Sequence, residues 1–553
     1  MRVLGINALF HDPSAALVVD GHVVAAAEEE RFSRRKHGKR PVPFAAWELP
    51  VEAARWCLDR GGVPMEGLDA VAYSYDPDLA RPADELGLDD PWDSLRQLYA
   101  QRAPRFVEHE LGTLTNGEFR FVPHHEAHAA SAGLIDASRG SDGRTSVLVI
   151  DGRGERASHL AGVYDGCKLE TLAAQALPDS LGLMYESLTE HLGFLRSSDE
   201  YKVMALASYG RPRHVGALRE HVHATGDGGF VARAPDWSAW VPRRGSHEQW
   251  TDEHADLAAS VQACLEETLL DLSAWLHAVT GTSHLAMAGG TALNCVANSR
   301  VWRDSPFDSV WVQPAAGDAG TALGAALAVA DDVDLGGVPF PSAALGRGWT
   351  DDELAAELRR AAVPFTTPPD LPLTIASALA NNGVVAWFDG RSEFGPRALG
   401  QRSLLAHPGD PDNLRRLNDV KGREQFRPVA PIVLAERAAH IFSAGPVPSP
   451  FMLFVHEVNP SWRQRIPAVT HVDGTARVQT VDRRTQAMLA GTLEQFERLT
   501  GLPVLVNTSL NTAGRPMVDT PREALEIFGS APIDVLVLGP HVVRRHALTE
   551  GDG

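Results

Sequence analysis

Short apolar runs separated by Asp-Gly pairs dominate the beginning of the chain. "RVLGIN" predicts a strand, "ALFHDPSA" a turn, and "AALVVDGHVVAAAEEER" two strands joined at Asp20–Gly21. Residues 146–173, "SVLVIDGRGERASHLAGVYDGCKLETLA", repeat the same order around a second hairpin at Asp165–Gly166. The pattern therefore predicts two copies of one α/β unit.

Two such copies predict a duplicated fold whose strand-turn-strand loops face one cleft, as in the actin-like ATPase (ASKHA) superfamily. Further along, the apolar strand of "LAMAGGTALNCVANSRVW" runs into Gly289 and Gly290, and we expect a helix to begin near Ala292. Glycines before a helix let an anion approach the backbone N–H groups closely. This pattern favours nucleotide or phosphate binding.

A change of composition after residue 330 predicts a domain boundary. The stretch "DDVDLGGVPFPSAALGRGWTDDE" and the later "VPFTTPPDLP" are rich in Pro, Gly and Asp, as linkers are. Beyond them the pattern alternates strands and helices again. We predict an α/β domain over 1–345, a linker over 346–369 and a smaller α/β domain over 370–547.

Composition narrows the classes of partner and compartment. The chain has 553 residues, 71 acidic against 51 basic, and a formal charge of -20, which argues against broad nucleic-acid binding and against adhesion to anionic membranes. Its 4 cysteines lack C-x-x-C spacing, and the sequence contains neither a signal peptide nor an apolar run of about 18 residues. We therefore expect a cytoplasmic protein that binds any anionic ligand in a local basic pocket.

Closely spaced histidines indicate a metal site. In "FVPHHEAHAAS", His124 and His128 are four residues apart and share one helix face, while His125 points elsewhere. The motif is one residue too short for the H-E-x-x-H of zinc peptidases. Asp318, at the head of a small-residue helix, is compatible with a cap or a metal ligand. Histidines at this spacing also occur on plain surface helices, so both readings stay open here.

A cluster of basic residues in the second domain predicts an anion pocket. Glycine- and proline-rich loops between 391 and 431 carry Arg391, Arg397, Arg402, Lys421, Arg423 and Arg427. Arg477 follows later, and Asn507, Ser509 and Asn511 come just past a strand, where open α/β sheets bind ligands. Guanidinium groups bind phosphate bidentately, so the cluster is typical of a polyphosphate or acyl phosphate pocket. Solvated surface arginines are the alternative.

The ordered motifs of the chain resemble those of the NodU/CmcH family of O-carbamoyltransferases. They are "GINALFHDPSAALVVDG", "AAEEERFSRRKHG", "HHEAHAASA", "DGRGE", "EYKVMALASYG", "GGTALNCVAN", "GPRALGQRS", "REQFRPVAP", "HVDGTARVQTV" and "NTSLN". The resemblance covers essentially the whole chain and includes antibiotic-tailoring enzymes. It implies an ASKHA-type N-terminal domain and a C-terminal domain like threonylcarbamoyl-adenylate synthases.

The resemblance also implies a two-step reaction in secondary metabolism. ATP, used with Mg, and carbamoyl phosphate would form carbamoyl-adenylate in the C-terminal domain, and the carbamoyl group would pass to a hydroxyl of a small-molecule natural product in the N-terminal domain. A mixed anhydride is a good electrophile that needs a dry site and a positioned acceptor.

The family's functional residues match individual positions of this sequence. They imply a metal site of His124, His128, Asp151 and Asp318 for Fe(II), with Mn or Zn as alternatives, and a general base at His11 with Asp12 beside it. Gly289, Gly290 and Asn294 match the adenylate segment. The ATP and carbamoyl phosphate positions are Arg397, Arg402, Lys421, Arg423, Arg427, Arg477, Asn507, Ser509 and Asn511, and Lys202 would line the acceptor side.

Two other functions remain to be weighed. An ASKHA-type small-molecule kinase would also use a glycine-rich nucleotide segment, but it needs neither the second basic pocket nor the two-histidine, two-aspartate set. A nucleotide-regulated binding protein needs no general base, and His11 and the metal ligands are present.

Overall fold

Two units, Met1–Phe340 and Pro341–Gly553, make up the computed structural model. The structure describes residues 1–38, 48–135, 143–330, 340 and 342–545. In these residues no helix has both the length and the apolar character needed to cross a membrane.

The first unit contains two five-stranded sheets built alike. The strands of the first sheet are β1 (Arg2–Asn7), β2 (Ser14–Val19), β3 (His22–Glu28), β4 (Ala70–Tyr73) and β5 (Glu118–Phe121). Those of the second are β6 (Arg144–Ile150), β7 (Ala157–Asp165), β8 (Lys168–Ala176), β11 (His284–Ala288) and β12 (Ser309–Val312), and β9 (Val222–Ala224) pairs separately with β10 (Phe230–Ala232).

Strand order and direction are the same in the two sheets. The orders are β3-β2-β1-β4-β5 and β8-β7-β6-β11-β12. In each sheet the first three strands are antiparallel and the last two run parallel to the first. The predicted duplication is therefore confirmed, and the order is that of the actin-like ATPase fold.

Ten α-helices accompany these sheets in the described part of the first unit. They are α1 (Glu30–Ser33), α2 (Val51–Gly61), α3 (Asp93–Leu111), α4 (His124–Gly133), α5 (Leu181–His191), α6 (Glu200–Ala207), α7 (Val215–Leu218), α8 (Asp252–Thr280), α9 (Cys295–Asp304) and α10 (Ala319–Val329). The helix expected to begin near Ala292 begins at Cys295 instead, because the Asn294 side chain caps it and a short 3-10 turn, Gly290–Leu293, comes before it.

Small residues let α10 pack unusually close to its neighbours. A Cβ at Gly324 would overlap the carbonyl oxygen of Ala127 on α4, and one at Gly5 on β1 would overlap the carbonyl oxygen of Ala322. Helix α10 thus touches the backbone of both α4 and β1. This contact brings the beginning of α10 near the histidines of α4.

The second unit is built on a seven-stranded mixed sheet with the order β19-β15-β20-β14-β13-β21-β22. Its strands are β13 (Val385–Phe388), β14 (Arg402–Ala406), β15 (Ala430–Leu434), β19 (Gln479–Val481), β20 (Val504–Ser509), β21 (Val535–Leu538) and β22 (His541–Arg544), with β16 (Phe442–Ser443), β17 (His456–Val458) and β18 (Thr475–Ala476) in a separate sheet. Its helices are α11 (Asp351–Arg360), α12 (Leu371–Ala380), α13 (Asp412–Lys421), α14 (Ala435–Ile441), α15 (Pro460–Arg463), α16 (Ala487–Thr500) and α17 (Pro521–Ser530).

The linker predicted over 346–369 is wrong, because this range contains helix α11 and lies in the second unit. Thr350 and Glu353 form a capping box at its beginning, and Leu354 and Leu358 are buried in the core of the unit. Leucines four residues apart after a capping box are a helix signal. The surrounding Pro, Gly and Asp residues obscured it.

Candidate functional site

Four side chains predicted as metal ligands meet in the first unit. The ligand atoms of His124, His128, Asp151 and Asp318 all lie within 4.8 Å of one another, and all four residues are buried. Helix α4 supplies the two histidines from one face, Asp151 follows β6, and Asp318 stands just before α10. Three separate segments therefore converge on one point.

The set fits a divalent cation. Both ring nitrogens of His128 and Oδ1 of Asp318 are buried and have no hydrogen-bond partner among the described residues. Native proteins rarely leave such atoms unsatisfied unless an ion or water completes them. Imidazole and carboxylate donors without a thiolate suit Fe(II), Mn²⁺ or Zn²⁺. The nature of the ion is therefore not fixed by the donors.

The pKa shifts within the four-residue set favour a positive charge at this site. Burial alone would lower the pKa of His124, but the hydrogen bond to Asp151 and the charges of Asp318 and Asp151 raise it to about 9. Burial alone would raise the pKa of Asp151, yet His124 and His128 hold it well below its ordinary value. Two buried carboxylates therefore hold a proton at His124 where no other cation is present.

Backbone and carboxylate groups fix the orientation of His124. Its Nδ1 lies 3.2 Å from the carbonyl oxygen of Ser74, and its Nε2 lies 3.3 Å from Oδ2 of Asp151. Because a carbonyl can only accept, Nδ1 carries the proton and Nε2 is left for a metal. Glu155 Oε1 accepts the backbone N–H groups of His124 (2.8 Å) and Asp76 (2.9 Å) and so anchors the beginning of α4.

The paired glycines have a partner within the site. The N–H of Gly290 donates to Oδ1 of Asp151 at 2.9 Å. Gly289 has φ 91°, and a Cβ there would overlap the carbonyl oxygen of Ile150. The glycines were predicted to turn N–H groups toward an anion, and in this structure the anion is the Asp151 carboxylate. Asn294, matched to the same segment, caps α9 and bonds to Gln262.

His11 lies beside the metal set. Its Nε2 is 3.7 Å from Oδ2 of Asp318, and its Nδ1 is 2.9 Å from Oδ2 of Asp12. Oδ1 of Asp12 lies 2.6 Å from Nδ1 of His37, a residue to which the sequence motifs assigned no role. Burial alone would raise the pKa of Asp12, but the charge of His37 and the bonds to both histidines hold it well below its ordinary value.

An aromatic and ionic cluster supports the loop of His11. The ring of Phe10 makes an edge contact with His124, with centroids 5.7 Å apart, and the guanidinium groups of Arg96 and Arg153 lie over it at 5.3 and 5.1 Å. Asp90 accepts from both arginines at 2.7 Å. Such partly buried cation–π and ion-pair contacts hold a ring in one place.

His125 and Lys202 have other environments. His125 is buried and packs on Gly154, and burial holds its pKa well below the ordinary value. It is not in the four-residue set, as the helix spacing predicts. Lys202 pairs with Asp199 at 3.0 Å and lies over the ring of Phe194. Its role toward an acceptor stays a prediction.

In the second unit, three residues predicted to bind ATP and carbamoyl phosphate come together, Lys421, Ser509 and Asn511. Nζ of Lys421 donates to Oγ of Ser509 (2.9 Å) and to Oδ1 of Asn511 (2.5 Å). Lys421 is 4% exposed, and these oxygens take the place of water around its ammonium group. The arrangement is a preformed polar corner at the end of β20.

The other basic side chains of the predicted pocket differ in how far each is exposed. Nε of Arg423 donates to Asn418 at 2.5 Å, and Arg427 lies 3.6 Å from Glu424. The partly exposed members of the predicted pocket are Arg391, Arg397, Arg423, Arg427 and Arg477.

Arg402 was predicted to bind phosphate and instead lies in the core, with no exposed surface. Its guanidinium donates to four backbone carbonyls, those of Asp389, Gly390, Gln401 and Arg347, and lies 3.6 Å over the ring of Phe388. It is the first residue of β14, between two other strands. These contacts support the sheet, and a phosphate would have to displace some of them, so a direct role of Arg402 in binding stays a prediction.

Asn507 is likewise buried, at 1% exposure. Its amide donates to Oε1 of Gln479 at 2.6 Å and to the carbonyl of Ala398. It sits inside β20, a central strand, rather than past the strand end. These bonds support the packing of the sheet, and ligand contact by Asn507 stays a prediction.

Comparison with known families supports the sequence motifs. The model described as carbamoyltransferase N-terminus matches residues 102–327, and the one described as carbamoyltransferase C-terminus matches residues 376–545. His124, His128, Asp151 and Asp318 are within the first match, and Lys421 with Ser509 and Asn511 is within the second.

Three relatives are similar over most of their length. An uncharacterised protein of Synechocystis sp. is 34% identical over 99% of this chain and 97% of its own. Nodulation protein NolNO of Sinorhizobium fredii is 36% identical over 99% of this chain and 81% of its own. Nodulation protein NolO of Bradyrhizobium diazoefficiens is 38% identical over 76% of this chain and 78% of its own.

Proposed function

This chain belongs to the carbamoyltransferase family, and we propose that it makes carbamoyl-adenylate from ATP and carbamoyl phosphate and transfers the carbamoyl group to a hydroxyl of a small-molecule natural product. Membership makes it an enzyme of carbamoyl transfer. The adenylate, the acceptor class and the division of labour between units are the proposal.

The observation that carries the transfer step is the buried metal-ligand set with His11 beside it. Nε2 of His11 faces Asp318 at 3.7 Å, and Nδ1 is held by Asp12, so Nε2 has the lone pair that a general base needs. In the transfer step it would accept the proton of the acceptor hydroxyl. The hydroxyl oxygen would then bond to the carbamoyl carbon, and AMP would leave.

His124, His128, Asp151 and Asp318 would hold a divalent cation, for which we propose Fe(II). When bound, such an ion would supply Lewis-acid stabilisation of negative charge on the carbonyl oxygen under attack. The chain's own contribution is rigidity, because Glu155 and Gly290 anchor the ligand segments before any substrate arrives.

The observation that supports activation in the second unit is the corner of Lys421, Ser509 and Asn511, in a unit that also contains partly exposed arginines. Carbamoyl phosphate would lose phosphate to water, and the resulting carbamate oxygen would attack the α-phosphorus of ATP with pyrophosphate leaving. Arg397, Arg427 and Arg477 would neutralise the phosphates. The resemblance to threonylcarbamoyl-adenylate synthases belongs to this proposal, as do Mg²⁺ with the ATP and adenylate binding by Gly289, Gly290 and Asn294.

Exchange of labelled pyrophosphate into ATP tests the activation step. Exchange that depends on carbamoyl phosphate is expected, and Lys421→Ala and Arg427→Ala should abolish it. Arg415→Ala, at an exposed arginine of the same unit, is the matched control and should keep it. Formation of ADP from ATP when a sugar is added without carbamoyl phosphate would instead identify a kinase.

An intact-mass screen of hydroxylated natural products for the mass of one added carbamoyl group tests the transfer step. His11→Ala should keep pyrophosphate exchange and lose the adduct. Equal loss of both activities in this variant would contradict separate sites for activation and transfer.

A further inference from the structure

Two histidines share one carboxylate next to the metal set. Oδ2 of Asp12 lies 2.9 Å from Nδ1 of His11, and Oδ1 lies 2.6 Å from Nδ1 of His37. The N–H of Asp12 also reaches the carbonyl oxygen of His37, at 3.3 Å. His37 is therefore bonded to Asp12 through both its ring and its backbone.

The bonding pattern determines the tautomer of each ring. An ionised carboxylate can only accept hydrogen bonds, so each Nδ1 that faces Asp12 carries its proton. In neutral His11 this leaves Nε2 as the acceptor atom, on the side of Asp318. Without Asp12 held in place, a histidine side chain is free to adopt the other tautomer.

The backbone is strained where this arrangement is made. Phe10, Asp12 and His37 have φ of 57°, 50° and 59°, in the left-handed region that side chains other than glycine avoid. Such a conformation is unfavourable for each of these residues, and strain of this kind concentrates where geometry matters for function. Asn7 opposes the cost by donating to the carbonyls of His11 and Asp12 at 3.0 Å.

A second acidic residue, Glu30, anchors the backbone of His37. Its backbone N–H donates to Oε2 of Glu30 at 3.0 Å, and its side chain is 21% exposed. Asp12, Glu30 and His37 also have ligand atoms within 4.8 Å of one another, a spacing that a cation could use. The direct 2.6 Å bond between Nδ1 of His37 and Oδ1 of Asp12 instead joins two of these residues without a cation.

We propose that His37 is a positioning residue that orients Asp12 and, through it, fixes His11 in the Nδ1–H tautomer with Nε2 toward the acceptor. The inference rests on the proposed function of His11 as the base of carbamoyl transfer. His37 touches neither substrate nor metal in this role. It acts through the shared carboxylate.

Nuclear magnetic resonance of the full chain labelled with ¹⁵N-histidine tests the inference directly, with Zn²⁺ added to keep the sample diamagnetic. Long-range ¹H–¹⁵N correlations report which ring nitrogen carries the proton. His11→Ala identifies the signals of His11. We expect the parent to have His11 in the Nδ1–H form, and His37→Ala to shift more than half of it to the Nε2–H form.

His37→Asn is the conservative variant, because its amide nitrogen occupies the place of Nδ1 and can still donate to Asp12. It should restore the Nδ1–H signal of His11, whereas His37→Gln, whose amide lies in the place of Nε2, should not. Unchanged Nδ1–H signal in His37→Ala, or equal loss in His37→Asn and His37→Gln, would overturn the inference.

Two further measurements separate other causes. Pyrophosphate exchange and the thermal unfolding midpoint should be unchanged in His37→Asn and His37→Gln, so the comparison of these two holds even where His37→Ala folds poorly. Loss of one equivalent of Zn²⁺ in His37→Ala would instead identify Asp12, Glu30 and His37 as a cation site and overturn the inference. Failure of His11 as the base would appear separately, as undiminished transfer in His11→Ala.

Discussion

Glu29 is a buried acid whose charge opposes folding above neutral pH. It is 4% exposed, and its Oε2 accepts the backbone N–H of Ala53 at 2.9 Å. Burial raises its pKa from an ordinary 4.5 to about 7, although bonds from the backbone of Ala53 and Glu52 act in the opposite direction. The folded state therefore binds this proton more tightly than the unfolded state does.

The sign and size of the effect follow from that difference. Stability is highest below the unfolded pKa of 4.5, falls as the pH rises toward about 7, and reaches its full loss above that value. The full loss is about 3 kcal/mol, because one pKa unit corresponds to about 1.4 kcal/mol. Glu29→Gln keeps an oxygen for Ala53 and removes the charge.

We therefore expect Glu29→Gln to be more stable than the parent by about 3 kcal/mol at pH 8 and by about 1 kcal/mol at pH 5. Urea unfolding followed by tryptophan fluorescence measures this, provided that the dependence on urea is unchanged between the proteins. Glu66→Gln, at an exposed glutamate of the same unit, is the control and should have no pH-dependent effect. An equal gain for Glu29→Gln at both pH values would refute the reasoning.

Three other predictions concern the two sites. Gly324→Ala should destabilise the first unit by several kcal/mol and reduce bound metal, because its Cβ would overlap the backbone of Ala127 on α4. Gly216→Ala, which has open space around it, is the control and should do neither. Equal effects of the two substitutions on unfolding and on metal content would contradict the close packing. Removal of the metal by a chelator should lower the free energy of unfolding of the parent by about 2.7 kcal/mol if the metal was present at about 100 times its Kd. The stability of His128→Ala should not change when the chelator is added. A change in this variant would mean that the metal binds elsewhere. Arg402→Met should destabilise the second unit by about 3 kcal/mol, because it leaves buried carbonyl groups without a hydrogen-bond donor. Arg427→Ala should unfold like the parent and lose only pyrophosphate exchange. Unaltered stability of Arg402→Met would argue against the place of Arg402 in the core.

Much of the fold could be predicted because its signals are local. The hairpins at Asp20–Gly21 and Asp165–Gly166 fix two neighbouring strands each by turn geometry alone, and the repetition of this pattern predicts the duplicated sheets. The spacing of His124 and His128 predicts their common helix face in the same way. The convergence of Asp151 and Asp318 on them came only from the family resemblance, because these residues lie far apart in the sequence.

Burial within a sheet could not be predicted from the same patterns. Arg402 and Arg427 stand in similar glycine- and proline-rich stretches, yet one begins a central strand and the other lies on a partly exposed loop. Which strand is central depends on pairings between distant segments, such as β14 with β20. A resemblance to binding residues therefore cannot separate an arginine that contacts ligand from one that supports the sheet behind it.

The same limit explains why the supporting contacts around the ligands could not be predicted. Glu155 and His37 were given no role from the sequence, and Gly290 was expected to face a bound anion, yet each bonds a residue of the site across 25 or more positions of the sequence. Their hydrogen bonds fix the beginning of α4, the Asp151 carboxylate and the Asp12 carboxylate respectively. Because an ion or a base acts only within a few tenths of an ångström of its productive position, these contacts determine whether the ligand set can work. Substitutions at Glu155 and His37 should therefore impair metal binding and base orientation separately, as two independent supports of one site.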